Sequence, residues 1–278
     1  MPGKPRPYNP SMRVYADLYR YRELFGSLFR RDLRAKYKGS VLGLAWSLAL
    51  PVLLMLVYLV VFSVLWKATP TKAVDRYWLF LLSGLPPWVF FATSLQSASR
   101  SLIENANLIR KVRFPRQLVP LSIVATQVVA FAVMLAIVLA LCVAVLPRAR
   151  GAAWLALPLG ALFVLFVAGL ALAVASANAV FRDVEFVVAA ALLPLFFLTP
   201  VLYGLEGLPV AATHPWLIDV IHWANPLTPP IQAIRAPLFF GAAPAAGDAV
   251  YFLVETAAAL LLGAWVFTRV DDRIAAEV

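Results

Sequence analysis

The chain has 278 residues, 63% of them hydrophobic and 14% charged, with 24 Lys and Arg against 14 Asp and Glu and a net charge of +10; its mean hydropathy is +0.84. A water-soluble domain does not have this balance. Five stretches, residues 39–66, 77–99, 117–147, 151–181 and 186–205, carry no Asp, Glu, Lys or Arg, and each reaches the roughly 20 residues that cross a bilayer as a helix, so the sequence is that of a polytopic membrane protein.

The runs are continuously apolar and rich in Leu, Val and Ala, without the alternating polarity of a transmembrane barrel, so helices must satisfy the backbone in lipid and the fold class is all-α. The single cysteine, Cys142, lies inside an apolar run, which leaves no intrachain disulfide and no CxxC site and reads as small apolar packing.

In chain order, residues 1–10 hold Pro2, Pro5, Pro7 and Pro10 and predict an extended, flexible arm. Over 11–38, Val14, Leu18, Tyr21, Leu24, Phe25, Leu28, Phe29 and Leu33 recur at three- and four-residue steps among arginines, the pattern of an amphipathic helix lying in the inner interface. A single transmembrane domain follows over 39–273. Its first span is predicted at about 41–66, kinked at Pro51, and its second at about 77–97, with Gly84, Pro86 and Pro87 unwinding the outer end. Residues 100–116 read as a short cytoplasmic helix ended by Pro115. The third and fourth spans, about 118–146 and 153–181, form a hairpin. A corner, Arg182-Asp183-Val184-Glu185, leads to a fifth at about 186–203. Between 204 and 244, Pro209, Pro215, Pro226, Pro229, Pro230 and Pro237 interrupt apolar pieces of fifteen residues or fewer, too short to cross as helix and read as re-entrant or outer-interface helices. The last span is about 249–268, with a tail at 274–278. There is no internal sequence repeat.

With the basic N-terminal segment kept inside, alternation places eighteen of the 24 basic residues on the cytoplasmic face and six, Lys67, Lys72, Arg76, Arg148, Arg150 and Arg235, outside. This is the asymmetry expected of six spans with both termini cytoplasmic. The positive charge therefore reads as topology and contact with anionic lipid, not as nucleic-acid binding.

Resident chemistry is sparse. There is no GxxxxGK[ST] phosphate loop, HExxH, GxSxG or acidic cluster with metal-ligand spacing, so no catalytic or metal site is assigned, and energy must come from elsewhere. His214 and His222, beside Trp216 and Trp223, lack a third zinc ligand and read as interfacial side chains. Glu255 is the one acid well inside a predicted span; a protonated or paired residue and a transport role both fit it. Tyr58, Phe62, Trp88, Phe91, Phe196, Phe197, Tyr203, Trp216 and Trp223 fit either the aromatic belts of the interface or a path that stacks sugar rings without holding them. Arg30, Arg31, Arg34, Lys36, Tyr37 and Lys38 would meet a pyrophosphate headgroup at the inner interface, where Arg forks suit phosphate oxygens; positive-inside anchoring explains any single one equally.

The run Arg30-Arg31-Asp32-Leu33-Arg34-Ala35-Lys36-Tyr37-Lys38-Gly39-Ser40-Val41-Leu42-Gly43-Leu44-Ala45-Trp46, followed by Pro51, resembles the start of ABC-2 type permeases that export O-antigen and teichoic-acid polysaccharides. Lys111-Val112-Arg113-Phe114-Pro115-Arg116, Phe181-Arg182-Asp183-Val184, Thr199-Pro200-Val201-Leu202-Tyr203 and Asn225-Pro226-Leu227 agree with it, and the resemblance covers about residues 28–241. It implies a six-helix half-transporter that forms a homodimer around a channel in the bacterial cytoplasmic (inner) membrane and works with two copies of a separate nucleotide-binding ATPase subunit, which would hold the ATP and Mg; no cofactor is expected on this chain. It implies coupling to that subunit through Glu104, Asn107, Arg110, Lys111, Arg113, Phe114 and Pro115 and parts of 15–38, an outer gate over 204–241, and an undecaprenyl-pyrophosphate-type lipid-linked glycan as substrate. A related exporter of drugs or small lipids is the alternative. An integral membrane transferase would need paired acids at one face, for which only Asp183 and Glu185 offer themselves.

Overall fold

The computed structural model describes residues 14–38, 76–205, 208 and 210–277, with isolated positions between 49 and 61. The flexible arm and, apart from those positions, the first predicted span lie outside the described residues. Among the described residues the chain is helical throughout, without a strand.

Two helices at the N-terminal end, α1 (Ala16–Arg20) and α2 (Arg22–Tyr37), precede α3 (Tyr77–Glu104). The predicted break in α3 does not occur: one helix runs through Gly84, Pro86 and Pro87. Two prolines remove the donors that would reach the carbonyls of Leu82 and Ser83, but packed neighbours tolerate this, because α3 is the centre of the bundle. Over its most apolar stretch 78% of residues are buried, against 28–39% for the other long apolar helices. The predicted helix over 100–116 is also divided. α3 takes its first turn, α4 (Ala106–Lys111) follows after Asn105, and the chain from Val112 is extended toward Pro115.

α5 (Leu118–Val145) and α6 (Ala156–Val180) make the hairpin, joined by 3-10 turns at Pro147–Gly151 and Ala153–Leu155. The terminal carbonyls of α5 receive side-chain donors, Arg76 Nη1 to Val145 O at 2.8 Å and Arg150 Nε to Val143 O at 3.2 Å, which answers the unpaired carbonyls of a helix end. After the corner comes α7 (Val184–Leu198), 15 residues long. The predicted fifth span of 186–203 is therefore shortened: at 1.5 Å per residue α7 rises only about 22 Å against a hydrocarbon core of about 30 Å. The chain then passes through α8 (Val210–Thr213), α9 (Pro215–Trp223), α10 (Thr228–Arg235) and a π turn (Ala236–Phe240) into α11 (Ala246–Glu277). Among the described residues four helices are long and apolar enough to cross a membrane: α3, α5, α6 with the 3-10 turn before it, and α11.

The core where these four meet is aromatic. Phe90 of α3 stacks on Phe131 of α5 at 4.7 Å between centroids, and Phe163 of α6 lies 6.1–6.3 Å from Phe90, Phe131 and Phe252 of α11. Offset and tilted rings at these separations attract beyond their dispersion. α6 and α11 approach closely enough to need small residues: a Cβ on Gly263 would sit 2.3 Å from Gly169 O, and one on Gly169 would sit 2.5 Å from the Ala259 carbonyl carbon. Lipid offers helices no hydrophobic drive to associate, so backbone proximity of this kind supplies the packing that holds them.

Gly263→Ala should accordingly lower stability by about 1–3 kcal/mol, the range for overpacking a tight contact. Gly26→Ala on α2, where an added Cβ meets nothing within 4 Å, should be neutral or stabilising. Thermal unfolding of the two detergent-solubilised variants beside the wild type checks the contrast.

Candidate functional site

The candidate residues fall at the two ends of the bundle. At the end that holds α2 and α4, the period of α2 brings Ser27, Arg30, Arg31, Arg34, Ala35 and Lys38 around an open concavity of about 920 Å³. Lys36 points elsewhere. Its ammonium donates to Gln127 Oε1 on α5, and Gln127 Nε2 donates to Ser97 Oγ on α3 at 3.2 Å. The bond is part-buried, and desolvation there lowers the Lys36 pKa. The side chain of Tyr37 lies outside the described residues.

Arg31 spans two roles. Its Nε donates to Asp32 Oδ1 and its Nη2 to Asn105 Oδ1, both at 2.8 Å, while Asp32 Oδ2 accepts from Ser122 Oγ at 3.0 Å. These contacts fix α2 to the start of α4 and to α5. Of the residues expected to couple to a partner, Glu104, Asn107, Arg110, Lys111 and Arg113 are exposed along α4 and its flanks, Phe114 is half-buried and Pro115 is buried. Ile109 and Phe114 anchor this segment to a small apolar cluster with Val14, Leu102, Val119 and Phe267, so the basic side chains are presented outward from a seated helix.

Further ties close this end. Arg116 Nη1 donates to Asp271 O at 2.7 Å and to Asp271 Oδ1 at 2.9 Å, joining the segment after α4 to α11. Gln117 Nε2 donates to Asp17 Oδ2 at 3.0 Å, and the Tyr15 hydroxyl donates to Leu260 O at 2.8 Å; burial pushes the Tyr15 pKa up to about 12. Asn178 Nδ2 donates to Ser99 O, Asn178 Oδ1 accepts from the Glu185 N–H, and Arg100 pairs with Glu185 at 3.2 Å. The corner at 182–185 is thus bound to α3. Asn105, Gln117, Gln127, Asn178 and Asp271 were not candidates from sequence. Their one signal is that they are amides and an acid inside or beside apolar runs, where a polar group needs a partner.

At the opposite end, Trp88, Phe91 and Phe196 are buried on one another, with Trp88 5.9 Å from Phe91 and 5.1 Å from Phe196. Phe197 is 54% exposed, Trp216 59% and Trp223 41%. The Tyr203 hydroxyl donates to Phe197 O at 2.9 Å, and burial raises its pKa. Tyr58 and Phe62 lie outside the described residues. His222 Nε2 meets Asp248 Oδ1 at 2.6 Å and its ring packs on Trp223; no group of three metal-ligating side chains occurs among the described residues. The stretches 199–203 and 225–227 meet, with Asn225 Nδ2 donating to Thr199 Oγ1 at 2.9 Å and Asn225 Oδ1 accepting from the Leu227 N–H. Arg235, expected among the outward basic residues, is instead fully buried against α3 and the turn after α7. Assigning charges by loop is blind to depth, and this charge left the loop with the end of α10.

Residues 23–239 match the family model described as ABC-2 type transporter. Among curated proteins, the chain is 36% identical over 198 residues to the O-antigen export system permease protein RfbA of Myxococcus xanthus, covering 70% of this chain and 74% of that one. Two proteins of the same name from Klebsiella pneumoniae are 32% and 31% identical over 215 residues, 77% of this chain and 79% of each. The match takes in α2, the exposed segment around α4, the corner before α7 and the helices from α8 to α10 as far as Phe239, so the chain belongs to the ABC-2 type transporter family.

Proposed function

We propose that the chain is the membrane permease subunit of an ATP-driven exporter that carries a lipid-linked cell-envelope polysaccharide, O-antigen or a similar glycan, across the bacterial cytoplasmic membrane. The observation that carries this reading is the relationship to three O-antigen export system permeases at 31–36% identity over 70–77% of the chain. The missing phosphate loop supports it from the other side, because a permease that binds no nucleotide needs a separate ATPase. Two copies of this chain would form the channel with two copies of that subunit, which would hold the ATP and Mg. Both termini would be cytoplasmic, with six crossings and the 204–244 segment as outer gate.

The parts then divide as follows. Arg110, Lys111, Arg113 and Phe114 on and after α4 would receive the partner, with Glu104 and Asn107 on the same exposed side. Movement imposed there passes to α2 through Arg31 and Asn105, to α11 through Arg116 and Asp271, and directly into α3, which continues from α4 across one residue. The groove of Arg30, Arg31, Arg34 and Lys38 would take the diphosphate of the lipid carrier: guanidinium forks match paired phosphate oxygens, and a site of this charge at the inner leaflet raises the local concentration of an anionic lipid. The buried rings at the outer end would keep the path closed to water, and the exposed Trp216 and Trp223 would meet sugar rings or headgroups as the chain emerges.

Co-expression with the nucleotide-binding subunit tests the reading. Replacing the exposed Arg110, Lys111 and Arg113 together with Ala should lower ATP turnover of the purified complex by at least about tenfold, the loss expected when a few anchor residues of an interface are removed, while the permease alone unfolds at the wild-type temperature. Wild-type association and turnover in that variant would overturn the coupling assignment. Orientation is checked separately on intact cells in a Cys142→Ala background: an impermeant maleimide should label Arg150→Cys and leave Arg110→Cys unlabelled until the membrane is opened.

A further inference from the structure

Arg235 ends α10 with no exposed surface, and each of its three guanidine nitrogens has a neutral acceptor. Nε donates to Ser83 Oγ at 3.2 Å, Nη1 to Pro200 O at 2.7 Å and Nη2 to Val201 O at 2.9 Å, and the guanidinium carbon stands 4.0 Å over the Phe80 ring. Among the described residues no carboxylate pairs with it. The slot it fills exists because residue 84 has no side chain, since a Cβ there would sit 2.2 Å from Nη2. The turn it grips is held by side chains from all round: Asn225 donates to Thr199 Oγ1, Arg235 to the carbonyls of Pro200 and Val201, and Tyr77 of α3 to Leu202 O at 2.7 Å.

A cation buried on neutral partners is a costly way to join two helices. Apolar side chains of similar volume do so as well or better, and in a membrane an arginine carries a further cost. What the guanidinium adds is a defined geometry: three donors and a ring face that converge in one slot. From this geometry we infer that Arg235 is a positioning residue for export, a latch that holds α10 and the turn at 199–202 against α3 and so keeps the outer end of the path shut. The inference rests on reading 204–244 as the outer gate. Opening withdraws the guanidinium from the Gly84 slot, and the ring of Phe80 and the Ser83 hydroxyl then bound an emptied outer mouth.

The test uses the full-length permease with its ATPase partner in phosphatidylethanolamine–phosphatidylglycerol liposomes loaded with carboxyfluorescein, without ATP. Arg235→Met should speed dye release by about tenfold, the effect of a lost hydrogen bond to a charged group, with a thermal midpoint no lower than wild type. Arg235→Lys, which restores charge and a donor, should recover part of the barrier. Gly84→Ala, which fills the slot, should leak like Arg235→Met, and the double variant should leak no more than either. Gly241→Val is the independent control for the gate: Gly241 has φ +70° and its Cβ would meet Arg148 O, so the substitution displaces the outer segment by another route. Leak in Gly241→Val with a tight Arg235→Met overturns the latch and leaves the gate standing; a tight barrier in both overturns the gate itself. A leak in Arg235→Met matched by a fall in its thermal midpoint shows a structural staple and also overturns the latch. Should Arg235→Met fail to insert, Ser83→Ala and Gly84→Ala carry the same comparison.

Discussion

In hydrocarbon a polar group finds its partner within the protein or not at all, and in this chain those partners converge on α3. Its end beside α4 supplies Ser97 to Gln127, the Ser99 carbonyl to Asn178, Arg100 to Glu185 and, one residue beyond, Asn105 to Arg31. Its other end supplies Tyr77 to Leu202 and Ser83 to Arg235. Between them lie Phe90 and Phe91, and among the described residues no polar side-chain link to another helix occurs from Gly84 until Ser97. The helix is therefore tied at both faces and packed by dispersion in the middle.

This arrangement explains why two prolines sit where they do. In a lipid-facing helix, Pro86 and Pro87 would leave carbonyls exposed to acyl chains; in a helix buried on most sides they cost less, and the glycine two residues earlier leaves room for a donor from another element. Gly84 and Arg235 are 151 positions apart, yet neither residue makes sense alone. A glycine in the middle of a helix weakens it and an arginine without an acid in the core destabilises it, whereas together they make one fitted contact.

Much of this was legible beforehand and some was not, for identifiable reasons. Charge-free runs of Leu, Val and Ala have one solution in lipid, so the hairpin of α5 and α6 follows from sequence to within a few residues. The continuity of α3 did not, because Gly84, Pro86 and Pro87 are breakers by local rule and only burial overrides them. The end of α7 at Leu198 was placed too late, since the run stays apolar through Val201 and Leu202 although Pro200 already stops the helix. The basic cluster of α2 was legible as a cluster, and its period held more: residues 30, 34 and 38 repeat at four-residue steps while Lys36 falls on the opposite side, toward Gln127. The amides Asn105, Gln127 and Asn178 gave no pattern, only their presence among apolar neighbours.

The two ends differ in the kind of contact they use, and that difference bears on how a push at one is felt at the other. At the end beside α4 the ties are many, short and partly exposed: Arg31 with Asp32 and Asn105, Arg116 with Asp271, Arg100 with Glu185. Each is worth little alone in water-accessible surroundings, and on the proposed function they could rearrange one at a time as a partner loaded α4. At the opposite end of α3 one fully buried guanidinium carries three bonds at once, out of reach of water that would replace them. On that reading a graded displacement at one end would meet a threshold at the other. α3, rigid by its packing and fixed at both ends, is the element through which the one would become the other.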